Sequence, residues 1–113
     1  MKAGRLGEAE TIELDSTGPL IGSEDDAREI IGACYGMETV FVIVPAARLH
    51  ADFLRLRSGM AGAFIQKLQN YHLRLIVVGD ISAEVAASTA LRDFVVETNR
   101  VGYHRFVPDL AVL

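Results

Sequence analysis

The chain has 113 residues, half of them apolar and 23% charged, with a formal net charge of −4. That length sets a single domain with one hydrophobic core, and the composition argues against disorder beyond the first few residues. Scattered Lys and Arg argue against nucleic acid as a partner; no apolar run nears the roughly 20 residues that span a bilayer and MKAGRLGEAE is no signal peptide, so a cytoplasmic protein with no membrane association is expected.

Residues 1–9 carry Gly4 and Gly7 without periodicity and read as a flexible lead-in, leaving residues 10–113 as the domain. From Glu10 to Asp15 apolar and polar positions alternate, with Ile12 and Leu14 on one face, the pattern of a half-exposed edge strand. A turn at Ser16 to Pro19 follows, and Leu20-Ile21 is expected to pair briefly. Ser23 ahead of Glu24, Asp25 and Asp26 is a helix start. The three acids read as first-turn carboxylates and not as a metal site, since no second ligand cluster adjoins them. Ala27, Ile30, Ile31 and Cys34 repeat at helical spacing towards a core, with Cys34 a packing residue that has no internal disulfide partner, and Gly36 ends the helix.

Residues 39–44 (TVFVIV) form a strand covered on both faces, stopped by Pro45. The long connection after it carries Leu49, Phe53, Leu54 and Leu56, which must pack, in a short helical turn. A helix opens at Ser58-Gly59-Met60-Ala61-Gly62 with Ala61, Phe64, Ile65 and Leu68 as its apolar stripe. Glycine inside a helix costs about 1 kcal/mol against alanine. Gly59 and Gly62 therefore imply close packing of the first turn on the sheet, or backbone N–H groups left open for an anion or partner. Residues 72–79 (HLRLIVVG) form a second buried strand, with Asp80 past its end as either a site carboxylate or a loop cap. Ser88 and Thr89 cap a helix with Leu91, Phe94, Val95 and Thr98 inward; Asp93 and Glu97 form a like-charge pair for Arg92 or Arg100 to offset. Asn99 to Gly102 closes that helix, residues 103–107 give a last strand, and the tail LAVL must dock.

The order of elements makes this an α/β protein: one small domain with a mostly parallel four- to five-stranded sheet and about three helices. Neither GxGxxG nor GxxxxGK[ST] occurs. In order and local text, Val40 to Val44, Arg57-Ser58-Gly59, Arg74 to Val78 and Phe94 to Val107 resemble the STAS domain of sulfate transporters and anti-sigma-factor antagonists. The resemblance implies that Ser58 matches a helix-start serine used as a phosphorylation switch, with Arg57 where those antagonists carry Asp. Over nearly the whole chain, in GPLIGSEDDA, DFLRLRSGMAG, QKLQNYHLRLIVVGDIS and ALRDFVVETNR, the sequence is similar to a bacterial family known only as a domain of unknown function, DUF4180. That likeness implies an α/β fold and a bacterial source, and no activity.

Two functional readings follow. The first is a non-enzymatic regulatory or protein-interaction module whose surface is the rim of Ser58, Gly59, Gly62, Asp80, Ile81 and Ser82. The second is a small enzyme or metabolite-binding protein with a polar pocket drawn from Asn70, Tyr71, Asp80, Asp93, Glu97 and Asn99. No catalytic residue, metal or cofactor is assigned. His50, His72 and His104 have no partner at a recognisable spacing and read as surface or packing residues. A third expectation is a homodimer formed through the first strand or the Gly59 and Gly62 face, which would also bury the LAVL tail.

Overall fold

The alternating and apolar runs become five strands in a computed structural model that describes residues 1–38 and 40–113. They are β1 (Lys2–Leu6), β2 (Ala9–Glu13), β3 (Val40–Pro45), β4 (Arg74–Val78) and β5 (Arg105–Val107), with helices α1 (Glu24–Ala33), α2 (Met60–Asn70), α3 (Ser82–Ala87) and α4 (Thr89–Val101). The strands lie side by side in chain order; β1 runs antiparallel to β2 and the rest are parallel. This is the expected small α/β domain with a mostly parallel sheet. The expected first residue of β3, Thr39, lies outside the described residues.

Parallel neighbours must be joined by crossovers, and right-handed crossovers that all advance in one direction leave their helices on one side of the sheet. The packing follows. The main core joins Ile12, Val42, Val44, Leu75, Val77 and Phe106 of the sheet to Ala27 and Ile30 of α1 and to Ala61, Phe64, Ile65 and Leu68 of α2. Ile43, Ile76 and Val107 on the other face form a second, small cluster with Leu6, Phe41 and Val78, to which no helix contributes.

Residues 1–9 are not a frayed lead-in. Lys2 to Leu6 pair in register with β2, from Lys2 opposite Glu13 to Leu6 opposite Ala9, closing a hairpin through Gly7 and Glu8. Gly7, at φ 62°, supplies the positive φ that the first position of a tight hairpin turn demands. The strand shows no hydrophobic alternation because backbone pairing holds it, and only Leu6 is part-buried.

Ser23 caps α1 as expected. Its Oγ accepts from the Asp26 amide at 3.1 Å while the Asp26 carboxylate accepts from Ser23 and Gly22 amides at 3.0 and 2.9 Å. Cys34 is buried at the end of α1, and burial pushes its thiol pKa up. Ile21 makes a single parallel bridge to Leu49. The connection after β3 contains three 3-10 turns, Ala46–Arg48, Ala51–Phe53 and Leu56–Ser58. Phe53 at its centre is buried edge-on against Phe64, ring centroids 5.5 Å apart. Burying such a ring stabilises the fold by about 2–3 kcal/mol, which anchors a connection otherwise poor in regular structure.

Candidate functional site at the carboxyl edge of the sheet

Three loops leave the carboxyl ends of β2, β3 and β4 and meet at one rim. The loop after β2 is tied down by Arg48, whose guanidinium donates to the Asp15 and Pro19 carbonyls at 2.8 Å. Gly22 lies against Met60 and Phe53, so this loop reaches the start of α2. The loops after β3 and β4 touch at Gly79, where φ is 149° and a Cβ would stand 2.8 Å from that of Ala46. Only glycine allows that approach. Beside it opens a cleft of about 380 Å³, lined by Pro45, Ala46, Ala47, Leu54 and Val78 together with Asp80, Ile81 and Glu84. A smaller hollow of about 210 Å³ lies on the other side of Asp80, over Val77, Val85, Val95 and Phe106.

Ser58 ends the last 3-10 turn and is exposed. Its Oγ donates to the Asp52 carbonyl at 2.6 Å and accepts from the Met60 amide at 3.1 Å, so one hydroxyl links the loop to the first turn of α2. Gly59 follows at φ 78°, a left-handed conformation that side chains resist, and this is the reason for its being glycine. Close packing explains neither glycine: a Cβ at Gly59 or at Gly62 would meet nothing within 4 Å. The first turn of α2 carries no acid, and Gly59 offers no side-chain cap. The positive end of that helix is therefore open to solvent and to negative charge.

Asp80 acts as a loop cap: its carboxylate accepts from the Ser82 amide at 2.9 Å, and hydrogen bonds from Ser82 hold its pKa below the usual carboxylate range. An exposed carboxylate so held stays ionised near neutrality and is poorly suited to general acid chemistry.

The other residues singled out in sequence do not converge on this rim. Asn70 and Tyr71 sit at the far end of α2, where Asn70 accepts from Gln66 at 2.8 Å and the Tyr71 ring lies 6.0 Å from the Lys67 ammonium. Asp93 pairs with Arg92 at 3.5 Å and Glu97 with Arg100 at 2.5 Å on the exposed face of α4, the offset anticipated for their like charge. Arg100 also holds the Glu97 pKa down. Asn99 binds backbone: its amide nitrogen donates to the Phe106 carbonyl at 3.0 Å and its oxygen accepts from the Phe106 amide at 2.8 Å. It completes the open edge of β5 as a further strand would.

Of the histidines, His50 caps a 3-10 turn by accepting from the Asp52 amide at 3.1 Å, and His72 adopts φ 63° where α2 ends. His104 is only 6% exposed, a burial its sequence neighbours did not reveal. Its Nδ1 accepts from the Leu75 amide at 2.9 Å and its Nε2 lies 3.0 Å from the side-chain amide oxygen, Oε1, of Gln69. Those partners require the neutral ring with its proton on Nε2, and burial, with Arg74 nearby, lowers its pKa to about 4. Among the described residues no three His, Cys, Asp or Glu side chains gather as metal ligands, and no helix is long and apolar enough to cross a membrane.

The family model for "Domain of unknown function (DUF4180)" matches residues 6–113, so the chain belongs to that family. No curated protein and no solved structure matches it.

Proposed function

We propose that the protein is a regulatory module of STAS-like type, working in a bacterial cytoplasm, whose carboxyl-edge rim docks a partner protein under control of phosphorylation at Ser58. The observation that carries this reading is the junction at Ser58: an exposed hydroxyl that accepts from the Met60 amide at the acid-free first turn of α2, whose N-cap Gly59 supplies no side chain. A phosphoryl group on Oγ would add a charge of about −2 beside helix amides and directly after Arg57, with Arg55 two residues before that. It would also remove the proton that Oγ donates to Asp52, loosening the turn that bounds the cleft. The sequential strand order with α1, α2 and α4 packed on one face supports the STAS-like comparison. The polar-pocket reading is weaker, since its residues lie at opposite ends of the sheet and are spent on local ion pairs and backbone contacts.

The test is intact-mass spectrometry of the protein isolated from its native cells, with and without phosphatase, followed by partner capture with Ser58→Ala and Ser58→Asp variants. The reading expects one removable phosphate on Ser58 and a partner that distinguishes the two variants. An unmodified Ser58 together with identical capture by both variants overturns it.

A further inference from the structure

Two arginines stand together on the face of the sheet without helices. Phe41 of β3 is in register with Arg74 of β4, and Ile76 of β4 with Arg105 of β5. Arg74 and Ile76 are two residues apart on one strand, so all four side chains share that face and the arginines are diagonal neighbours. Like charges so placed repel unless an anion offsets them.

The chain supplies no such anion. Among the described residues neither guanidinium has a carboxylate within 4.0 Å, that of Leu113 included. The strand register gives this face three cations, Lys2, Arg74 and Arg105, against one acid, Glu13, in a chain whose net charge is −4. Glu13 stands opposite Lys2 and three strands from Arg105, roughly 14 Å away at the ordinary strand spacing. Asp109, at the start of the tail, is taken up by the Ala111 amide at 2.8 Å.

Arg74 is partly engaged. Its guanidinium lies 4.9 Å from the Phe41 ring and 4.8 Å from that of Tyr103, while Nε and Nη2 donate to the Tyr103 and Gly102 carbonyls at 3.0 and 3.1 Å. These contacts fix its position and leave Nη1 for a further acceptor. Arg105 has no ion pair among the described residues and keeps its whole fork of donors. Both arginines line a cavity of about 370 Å³ whose other walls include Leu6, Phe41, Ile76 and Leu113. Pockets for small ligands run from about 300 to 1,000 Å³ and combine apolar walls with a few convergent polar groups.

We propose that this cavity binds a small apolar monocarboxylate, an acid of medium chain length. Its carboxylate sits on the Arg105 fork and Nη1 of Arg74, and its hydrocarbon body lies over Leu6, Phe41, Ile76 and Leu113. The two oxygens of a carboxylate match a guanidinium fork, and the apolar walls repay removal of the body from water. A phosphate, with three oxygens and about two charges, asks for more donors than one fork and one Nη provide, and the leucine, isoleucine and phenylalanine walls add none. The site lies across the sheet from α2 and the Ser58 junction, so it is independent of the phosphorylation reading.

Titration calorimetry of the full chain with octanoate, 1-octanol and inorganic phosphate, joined to backbone amide shift mapping, tests it. Octanoate is expected to saturate one site with a dissociation constant of about 0.1–1 mM. It should shift the amides of Ile76, Arg105 and Leu113 and leave those of Ser58 and Met60 in place. Octanol and phosphate are expected to bind at least about tenfold more weakly. Arg105→Gln weakens octanoate by about tenfold or more, and Arg105→Lys, which keeps the charge and loses the fork, by less. Leu113→Trp crowds the cavity from the tail, outside the core, and lowers affinity with no change in β5. Octanoate that does not saturate by about 10 mM overturns the proposal. So does octanol bound as tightly as octanoate, which is apolar partition only, or phosphate bound as tightly, which is a bare anion site. An octanoate affinity indifferent to Arg105→Gln and to Leu113→Trp, or shifts confined to another part of the chain, does the same.

Discussion

Lowering the pH from 7 to 5 should destabilise this protein through one side chain, His104. Its two ring nitrogens are both engaged, with Nδ1 accepting from Leu75, so a second proton on the ring has nowhere to bond. The folded-state pKa is lowered to about 4 from 6.5. The unfolded chain therefore takes up a proton first as the pH falls: stability is complete above about pH 6.5 and drains away between there and about pH 4. Linkage over that interval puts the loss between pH 7 and pH 5 at about 2 kcal/mol, and at about 3 kcal/mol once both states are protonated. Carboxylates contribute mostly below this window, Asp26 among them, since its pKa is lowered through the Gly22 and Ser23 amides against the opposing effect of burial. Urea unfolding at pH 7 and pH 5 measures the effect directly. His104→Asn keeps an acceptor for the Leu75 amide and removes the titrating ring. That variant should be less stable than wild type at pH 7 yet show almost none of the pH dependence between 7 and 5. A wild type equally stable at both values, or a variant that keeps the full slope, would refute the assignment of a neutral, partnered imidazole.

The remaining predictions concern the backbone. His72 closes α2 in a left-handed conformation, with Leu73 donating to the Leu68 carbonyl at 3.0 Å and His72 to that of Gln69 at 2.9 Å, so His72→Gly should raise stability by about 0.5–1 kcal/mol in thermal or urea unfolding. Gly62→Ala, pointing into open space within a helix, should stabilise by up to about 1 kcal/mol, whereas Gly59→Ala at φ 78° should destabilise by about 1 kcal/mol or more, a contrast that one denaturation series resolves. Asn99→Ala leaves both Phe106 backbone groups without their partner and should cost about 1–3 kcal/mol, with faster amide exchange at Phe106.

Several elements were legible in sequence because local chemistry decides them. The Ser23 cap with its acids, the stripe of Ala61, Phe64, Ile65 and Leu68, and the runs that became β3 and β4 all lie where periodicity and capping put them. The helix α3 was not foreseen, since six residues with none buried leave no stripe to read. β1 escaped for a related reason: its strand character lives in hydrogen bonds to β2 and not in its side chains. At the rim, the Asp80 cap and the Ser58 hydroxyl were visible as local chemistry, because each bonds within six residues of itself. Asn99 and His104 were opaque: their meaning comes from Phe106 and from Leu75 and Gln69, which only the folded chain brings near.

The sheet's strict chain order has a kinetic corollary. Every strand after the first is laid down beside the one that precedes it, so no segment waits for a distant stretch of polypeptide before it can pair. Each loop closure is then short and each step adds one strand with its covering helix to an existing edge, a route along which the entropy of ordering is met in small instalments. Such a chain should assemble faster than a sheet of the same size whose central strands are recruited from both ends, and fluorescence-detected refolding from urea would show a single rapid phase.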